Sequence, residues 1–331
     1  MTDRQVLRDG YDVVVLGGGA AGLSGALMLA RARRSVAVID SGTPRNAPAA
    51  GVHGLLAREG MPPGELLARG RAEVRGYGGV VVSGEVTGAV SAAGAVRDGD
   101  GFVVELDGGR ASVRARRLLV TTGLVDELPE GVAGVRERFG RDVLHCPYCH
   151  GWEIRDQAIG VLGSGPLSVH QALLFRQWSD DVTLFSHTLP ALTDEQAEEL
   201  AAREIRVVPG EVASLEISDD DRLTGVRLTD GTVVARAALA VAPRMVARAG
   251  FLKALGLVPV EHPSGAGEYV PVDATGRTDV PGVWAAGNVT DLSAQVGGAA
   301  AAGAAAGAQI NADLIAEETA AAVSARRRGP G

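Results

Sequence analysis

Cysteine is close to absent from this chain. Its 331 residues hold two, Cys146 and Cys149, so no disulfide framework can be built and the single pair is read for chemistry rather than bracing. An excess of positive charge is also missing. Thirty-two Lys and Arg stand against 40 Asp and Glu, a formal charge of -8, which excludes a field that draws the chain to nucleic acid or to an anionic membrane. The runs Arg31-Ala32-Arg33-Arg34 and Arg326-Arg327-Arg328 are read as a solvated helix end and a frayed tail. No apolar run qualifies as a membrane span: residues 13–30 are broken by five glycines, and residues 292–312 are mostly Ala and Gly with Gln295, Gln309 and Asn311 among them. Ala30-Arg31-Ala32 looks like a cleavage site, but charged residues crowd the stretch ahead of the first apolar run. No export signal is read, and a reducing cytoplasm is the expected location.

What is present is enough for large cores. With 46% hydrophobic and 22% charged residues the chain is globular, with roughly two domains at ~100–200 residues each. The stretch it is arranged around is Cys146-Pro147-Tyr148-Cys149-His150. As written it matches the attachment signature for c-type haem, which requires export. A zinc site borrowing His145 and His150 needs a second ligand pair that the sequence does not offer, so no metal is expected. The preferred reading is a redox disulfide whose thiolate is stabilised at a helix N-terminus, with Pro147 suited to the first helical position.

Two βαβ patterns flank this stretch. Residues 11–16 form a buried-strand pattern, Gly17-Gly18-Gly19-Ala20-Ala21-Gly22 makes a glycine turn, and an apolar helix follows from Leu23 to Ala32. A second strand, 35–39, ends on Asp40, 18 residues beyond Gly22. Gly17 allows the tight turn, Gly19 the approach of a pyrophosphate, Gly22 close helix packing, and Asp40 accepts from ribose hydroxyls. The Gly-, Pro- and Ala-rich stretch 41–64, with Arg45, Asn46 and His53, is a loop over the bound cofactor. A helix near 64–77 and β runs at 80–90, 102–106 and 112–121 lead to Thr121-Thr122-Gly123, a second backbone approach.

In the second βαβ, strand 158–162 leads to Gly163-Ser164-Gly165-Pro166-Leu167-Ser168, a helix over 167–178 and strand 181–185. Here the signature decays. Ser168 replaces the third glycine, Pro166 removes one N–H, and Ser186-His187-Thr188 supplies neither an acid for a ribose diol nor an arginine for a 2′-phosphate. Further on, the strand approach at 273–286 leads to Gly287-Asn288, and Gln295-Val296 opens a long Ala/Gly helix whose positive end suits an anionic reduced flavin.

In this order the motifs make the chain resemble the low-molecular-weight thioredoxin reductase family over roughly residues 11–315. Cys-Pro-Tyr-Cys-His-Gly, the pieces at 44–46 and 53–54, and Asp126-Glu127-Leu128-Pro129 resemble most the branch of FAD-dependent dithiol oxidases of the gliotoxin and holomycin type. The resemblance implies an α/β fold of two Rossmann-like, three-layer ββα domains. A discontinuous FAD domain is expected from 1–125 and 244–316, an inserted nicotinamide-type domain, vestigial for nucleotide, from 126–243, and a flexible tail from 317–331. FAD contacts are implied for Gly17, Gly19, Ala20, Gly22 and Asp40, for Arg45, Asn46 and His53, for Thr122 and Gly123, and for Gly287, Asn288, Gln295 and Val296. The chain departs from ordinary reductases at His150, where they carry Asp, at Ser186-His187-Thr188, where they carry His-Arg-Arg, and at Asn288, where they carry Asp.

The resemblance also implies a mechanism. Cys149 faces the flavin C4a and Cys146 meets a small-molecule dithiol, whose thiol is deprotonated with help from His150; His145 is a neighbour that fixes geometry. Oxygen is the expected electron acceptor and a homodimer the expected assembly. Alternatives left open are a reductase fed by NADPH or ferredoxin and a flavin redox sensor without turnover.

Overall fold

A computed structural model describes residues 7–91, 101–165 and 167–328. The first strand, Gly10–Leu16, sets the frame. It is β-branched and fully apolar inside, as a strand covered on both faces must be. Side chains alternate across it, so Val13 and Val15 pack under the helices while Val14 and Leu16 pack on the opposite face. It pairs in parallel with Val36–Asp40 on one side and with Ala111–Val120 on the other. Val80–Ser83 extends the sheet beyond Val36–Asp40.

The strand Ala111–Val120 forks. Its first half pairs antiparallel with Phe102–Leu106, which pairs in turn with Val86–Ser91, while Leu118 to Val120 pair in parallel with Val283–Ala285 from the far end of the chain. Helices Ala20–Arg31, Pro63–Gly76 and Val296–Arg327 cover one face and the antiparallel meander the other, giving the expected three layers. Residues on both sides of the central insertion thus build one sheet.

The insertion repeats the plan. Its parallel sheet runs Arg206–Val208, Val182–Phe185, Ile159–Leu162, Ala238–Ala240, Val143–Leu144, with helices Ser168–Phe175 and Asp194–Ala202 on one face. The meander Val212–Ile217, Leu223–Leu228, Val233–Ala235 covers the other. Two strands join the halves: Leu124–Glu127 leaves the first sheet and Arg244–Ala247 returns beside it, antiparallel.

Two expectations fail at the surface. The closing helix runs to Arg327, so residues 317–327 are not a flexible tail and Arg326 and Arg327 are helical; residues 329–331 lie outside the described residues. Arg34 is not a solvated helix end either. It donates to Asn311 Oδ1 at 2.8 Å and pairs with Glu318 at 2.5 Å, and Arg116 and Arg117 both pair with Glu317. Ion pairs with arginines remote in sequence hold the last helical turns, which no local apolar pattern announces.

Candidate active site

The edge strand Val143–Leu144 delivers the cysteines to the C-terminal end of the inserted parallel sheet, where open α/β sheets place their ligands. Cys146 is extended (φ -97°, ψ 118°), as the residue before a proline must be, and caps the short helix Pro147–His150. Pro147 gives up only an N–H that the first helical position leaves unpaired anyway. At Gly151 the chain turns close under the Trp178 ring, whose Cδ2 lies 2.8 Å from where a β-carbon would sit.

The two sulfurs are 2.8 Å apart and unbonded. The Cys149 thiol donates to Cys146, and this bond, helped by the backbone N–H groups of Cys149 and Tyr148 and by the Arg45 charge, lowers the Cys146 thiol from 9.0 to about 7 against its burial. The same bond, with burial, raises Cys149. His145 is pushed down to about 4, first by burial and then by Arg45, so it is neutral at pH 7. Burial also lowers His150, against the pull of Glu153, leaving a neutral imidazole able to accept a proton.

These residues open on a cleft of about 2430 Å³ between the two halves. Across it lies the glycine turn. Gly17 sits at φ +105°, and a β-carbon there would meet the Thr121 carbonyl oxygen at 2.5 Å. At Gly19, the residue before helix Ala20–Arg31, a β-carbon would find nothing within 4 Å, so the backbone is bare toward the cleft. Asp40 accepts from the Gly18 N–H at 3.2 Å and from Arg71 at 3.0 Å. Thr122 Oγ1 is buried without a hydrogen-bond partner among the described residues. A bare helix N-terminus, a carboxylate at the second strand end and an unpartnered buried hydroxyl fit a flavin dinucleotide.

Every residue expected to touch FAD lines this cleft except Gly22. Gly22 stands behind the turn, where a β-carbon would run into the Gly17 carbonyl oxygen, so it serves packing. Arg45 is held bidentately by Asp126 at 2.7 and 2.6 Å, which fixes its charge beside the cysteines. Asn288 spends its amide N–H groups on the carbonyls of Asp291 and Ala294, at 3.0 and 2.9 Å, which shapes the turn ahead of Gln295 and leaves its carbonyl oxygen free to accept. His53 is held by Glu59, 2.6 Å from Nδ1.

Sequence reasoning missed how Ser168 acts. It fills the third-glycine position, and its hydroxyl accepts from the backbone N–H groups of Ser164 and Gly165, both at 3.2 Å. The second nucleotide loop thus turns two amides inward. At the end of the next strand His187 Nδ1 accepts from the Val212 N–H at 3.1 Å, tying that side chain to its own domain. Pro166 lies outside the described residues. Also unforeseen was Gln171, whose amide donates to the carbonyls of His145 (2.9 Å) and Val241 (3.1 Å) and pins the strand end that carries the cysteines.

Known proteins resemble the chain along nearly its whole length. The family described as pyridine nucleotide-disulphide oxidoreductase matches residues 11–308. A protein named thioredoxin reductase tcpT from Claviceps purpurea is 30% identical over 313 residues, 92% of this chain and 95% of its own. Thioredoxin reductase sirT from Leptosphaeria maculans is 30% identical over 324 residues, 94% and 96% of the two chains. Among solved structures, HlmI is 48% identical with a TM-score of 0.89, covering 98% of this chain and 99% of HlmI. An oxidoreductase from Agrobacterium tumefaciens is 36% identical with a TM-score of 0.84, covering 92% and 99%.

Proposed function

Because the chain belongs to the pyridine nucleotide-disulphide oxidoreductases and is an FAD-binding, thioredoxin-reductase-like enzyme, we propose that it oxidises a small-molecule dithiol to its disulfide and passes the electrons to oxygen. The observation that carries this direction is Ser168: its hydroxyl occupies the loop amides with which a nicotinamide donor's pyrophosphate would be held. A flavin held by the glycine turn and by Gly287 to Val296 would supply two-electron chemistry between the cysteine pair and oxygen, with hydrogen peroxide as the product.

The chain's own residues handle sulfur and protons. In the oxidised enzyme Cys146 and Cys149 are joined. His150, neutral and on the cleft, takes the proton of one substrate thiol, and the thiolate attacks Cys146 Sγ. The Cys146–Cys149 bond breaks and Cys149 leaves as the thiolate. The second substrate thiolate then attacks the substrate sulfur bonded to Cys146; a disulfide closes in the product and Cys146 leaves. The backbone N–H groups of Cys149 and Tyr148 and the Arg45 charge favour Cys146 as the leaving thiolate in that step.

The names of the fungal relatives describe the reverse direction, reduction of thioredoxin, and one experiment separates an oxidase from a reductase fed by NADPH. Under anaerobic conditions the bound flavin keeps its yellow colour on addition of NADPH and loses it on addition of dithiothreitol. In air, Cys146→Ser and Cys149→Ser each abolish oxygen uptake with dithiothreitol while retaining FAD. Rapid bleaching by NADPH returns the enzyme to the reductases.

A further inference from the structure

A second imidazole with its own carboxylate lines the same cleft as His150. Val52 exchanges hydrogen bonds with Met61 and Gly60, and the closed loop brings Glu59 back against His53. One oxygen of Glu59 lies 2.6 Å from His53 Nδ1 and the other accepts the Gly54 N–H at 2.9 Å. These donors keep Glu59 ionised, and a carboxylate can only accept, so the ring hydrogen is on Nδ1. With its hydrogen on Nδ1, the neutral form of His53 presents a lone pair at Nε2. That atom faces the other half of the molecule, 3.6 Å from Glu153 Oε1, just past the cysteine helix. The charge of Glu153 acts on His150, and so does that of His53 when its ring is protonated.

The two histidines line the cleft, whereas the side chains of Glu59 and Glu153 are 66% and 44% exposed. Acid–base groups thus step outward from the redox pair to water across the junction of the two domains. Closing one product disulfide strips two protons from the substrate. A buried imidazole that disfavours its own cation must hand on the first proton before it can take the second.

We propose that His53, oriented by Glu59, is a positioning and proton-relay residue for His150, taking the proton that His150 removes from the substrate thiol and releasing it to water beside Glu153. The proton moves from sulfur to His150, then to His53 Nε2, then to solvent; the Nδ1–H stays on His53, donated to Glu59, and no electron moves. This rests on the thiol exchange read above.

The test follows flavin bleaching by dithiothreitol in the anaerobic holoenzyme by stopped flow. In His53→Ala the bleaching slows on the order of 10²-fold, added imidazole restores most of the rate, and the pH profile shifts. Glu59→Gln, which keeps the shape, gives a smaller loss with a displaced pH profile. An unchanged rate and profile in both variants overturns the relay, as does a loss that imidazole cannot restore in protein of normal flavin spectrum and melting point. Wild-type enzyme inert to dithiothreitol overturns the oxidase reading and the relay with it; active wild type with an indifferent His53→Ala overturns the relay alone.

Discussion

At the scale of single residues, the site is governed by who holds which proton. Cys146 is the sulfur that ionises first, held near 7 mainly by the Cys149 thiol, so in dithiol-reduced holoenzyme its alkylation by iodoacetamide rises through a midpoint near 7 and precedes that of Cys149. Mass spectrometry across pH checks this, and a midpoint near 9 or first labelling at Cys149 contradicts it. His145 gives a stability signature. The unfolded chain takes up this proton near 6.5 and the folded chain only near 4, so between those values the unfolded state binds more protons. Stability is full above about 6.5 and declines as pH falls through 4, by at most about 3 kcal/mol for this group. Chemical denaturation at pH 7 and pH 4.5 should show a smaller loss in His145→Gln than in wild type; equal losses place the acid sensitivity elsewhere.

At the scale of elements, the flavin half depends on two helices approaching closer than side chains allow. Helix Ala20–Arg31 meets helix Val296–Arg327 through glycines, and a β-carbon on Gly303 would penetrate the Ala21 carbonyl oxygen while one on Gly307 would lie 2.7 Å from the Gly25 carbonyl oxygen. Both contacts are with backbone, so relief requires the helices to part. Gly303→Ala should cost about 1–3 kcal/mol and loosen FAD, because the same movement displaces the Gly19 end of the first helix. Thermal melting and flavin retention on gel filtration measure it, and a stable, yellow variant refutes the packing argument. These elements were readable because their signals are local: the glycine turn, the alternation of Val13 to Leu16, and Cys-x-x-Cys before its short helix all lie within a few residues. The partners of the site were not. Glu59 and Glu153 beside His53, and Asp126 beside Arg45, come together through tertiary contacts, and the hydroxyl of Ser168 looked like a missing glycine rather than a group that closes the loop it replaces.

At the scale of the whole molecule, the closing helix links parts of the flavin half that are far apart in sequence. Its 32 residues span roughly 48 Å at ~1.5 Å per residue. Asp313 pairs with Arg117 at 2.7 Å and with Arg277. Beyond it, Glu317 joins Arg116 and Arg117, and Glu318 joins Arg34 and Arg116, which also holds Asp12 on the first strand at 2.8 Å. The arginines are the less exposed partners, with Arg117 at 11% and Arg34 at 12%, so removing the glutamates leaves Arg34 without a charged partner among the described residues in a partly dry setting and Arg117 with Asp313 alone. A chain ending at Ala316 keeps the glycine contacts and the Asp313 pairs but loses all four glutamate bridges. It should still bind FAD, and its melting point should fall by about 2–5 °C at low salt, with the gap to wild type narrowing as salt screens the exposed pairs. An unchanged melting point at low salt would mean that residues 317–327 are helical without contributing to the fold. Loss of flavin would mean that the last turns reach the cleft through the helix itself, a coupling the glycine contacts near its N-terminal half do not require.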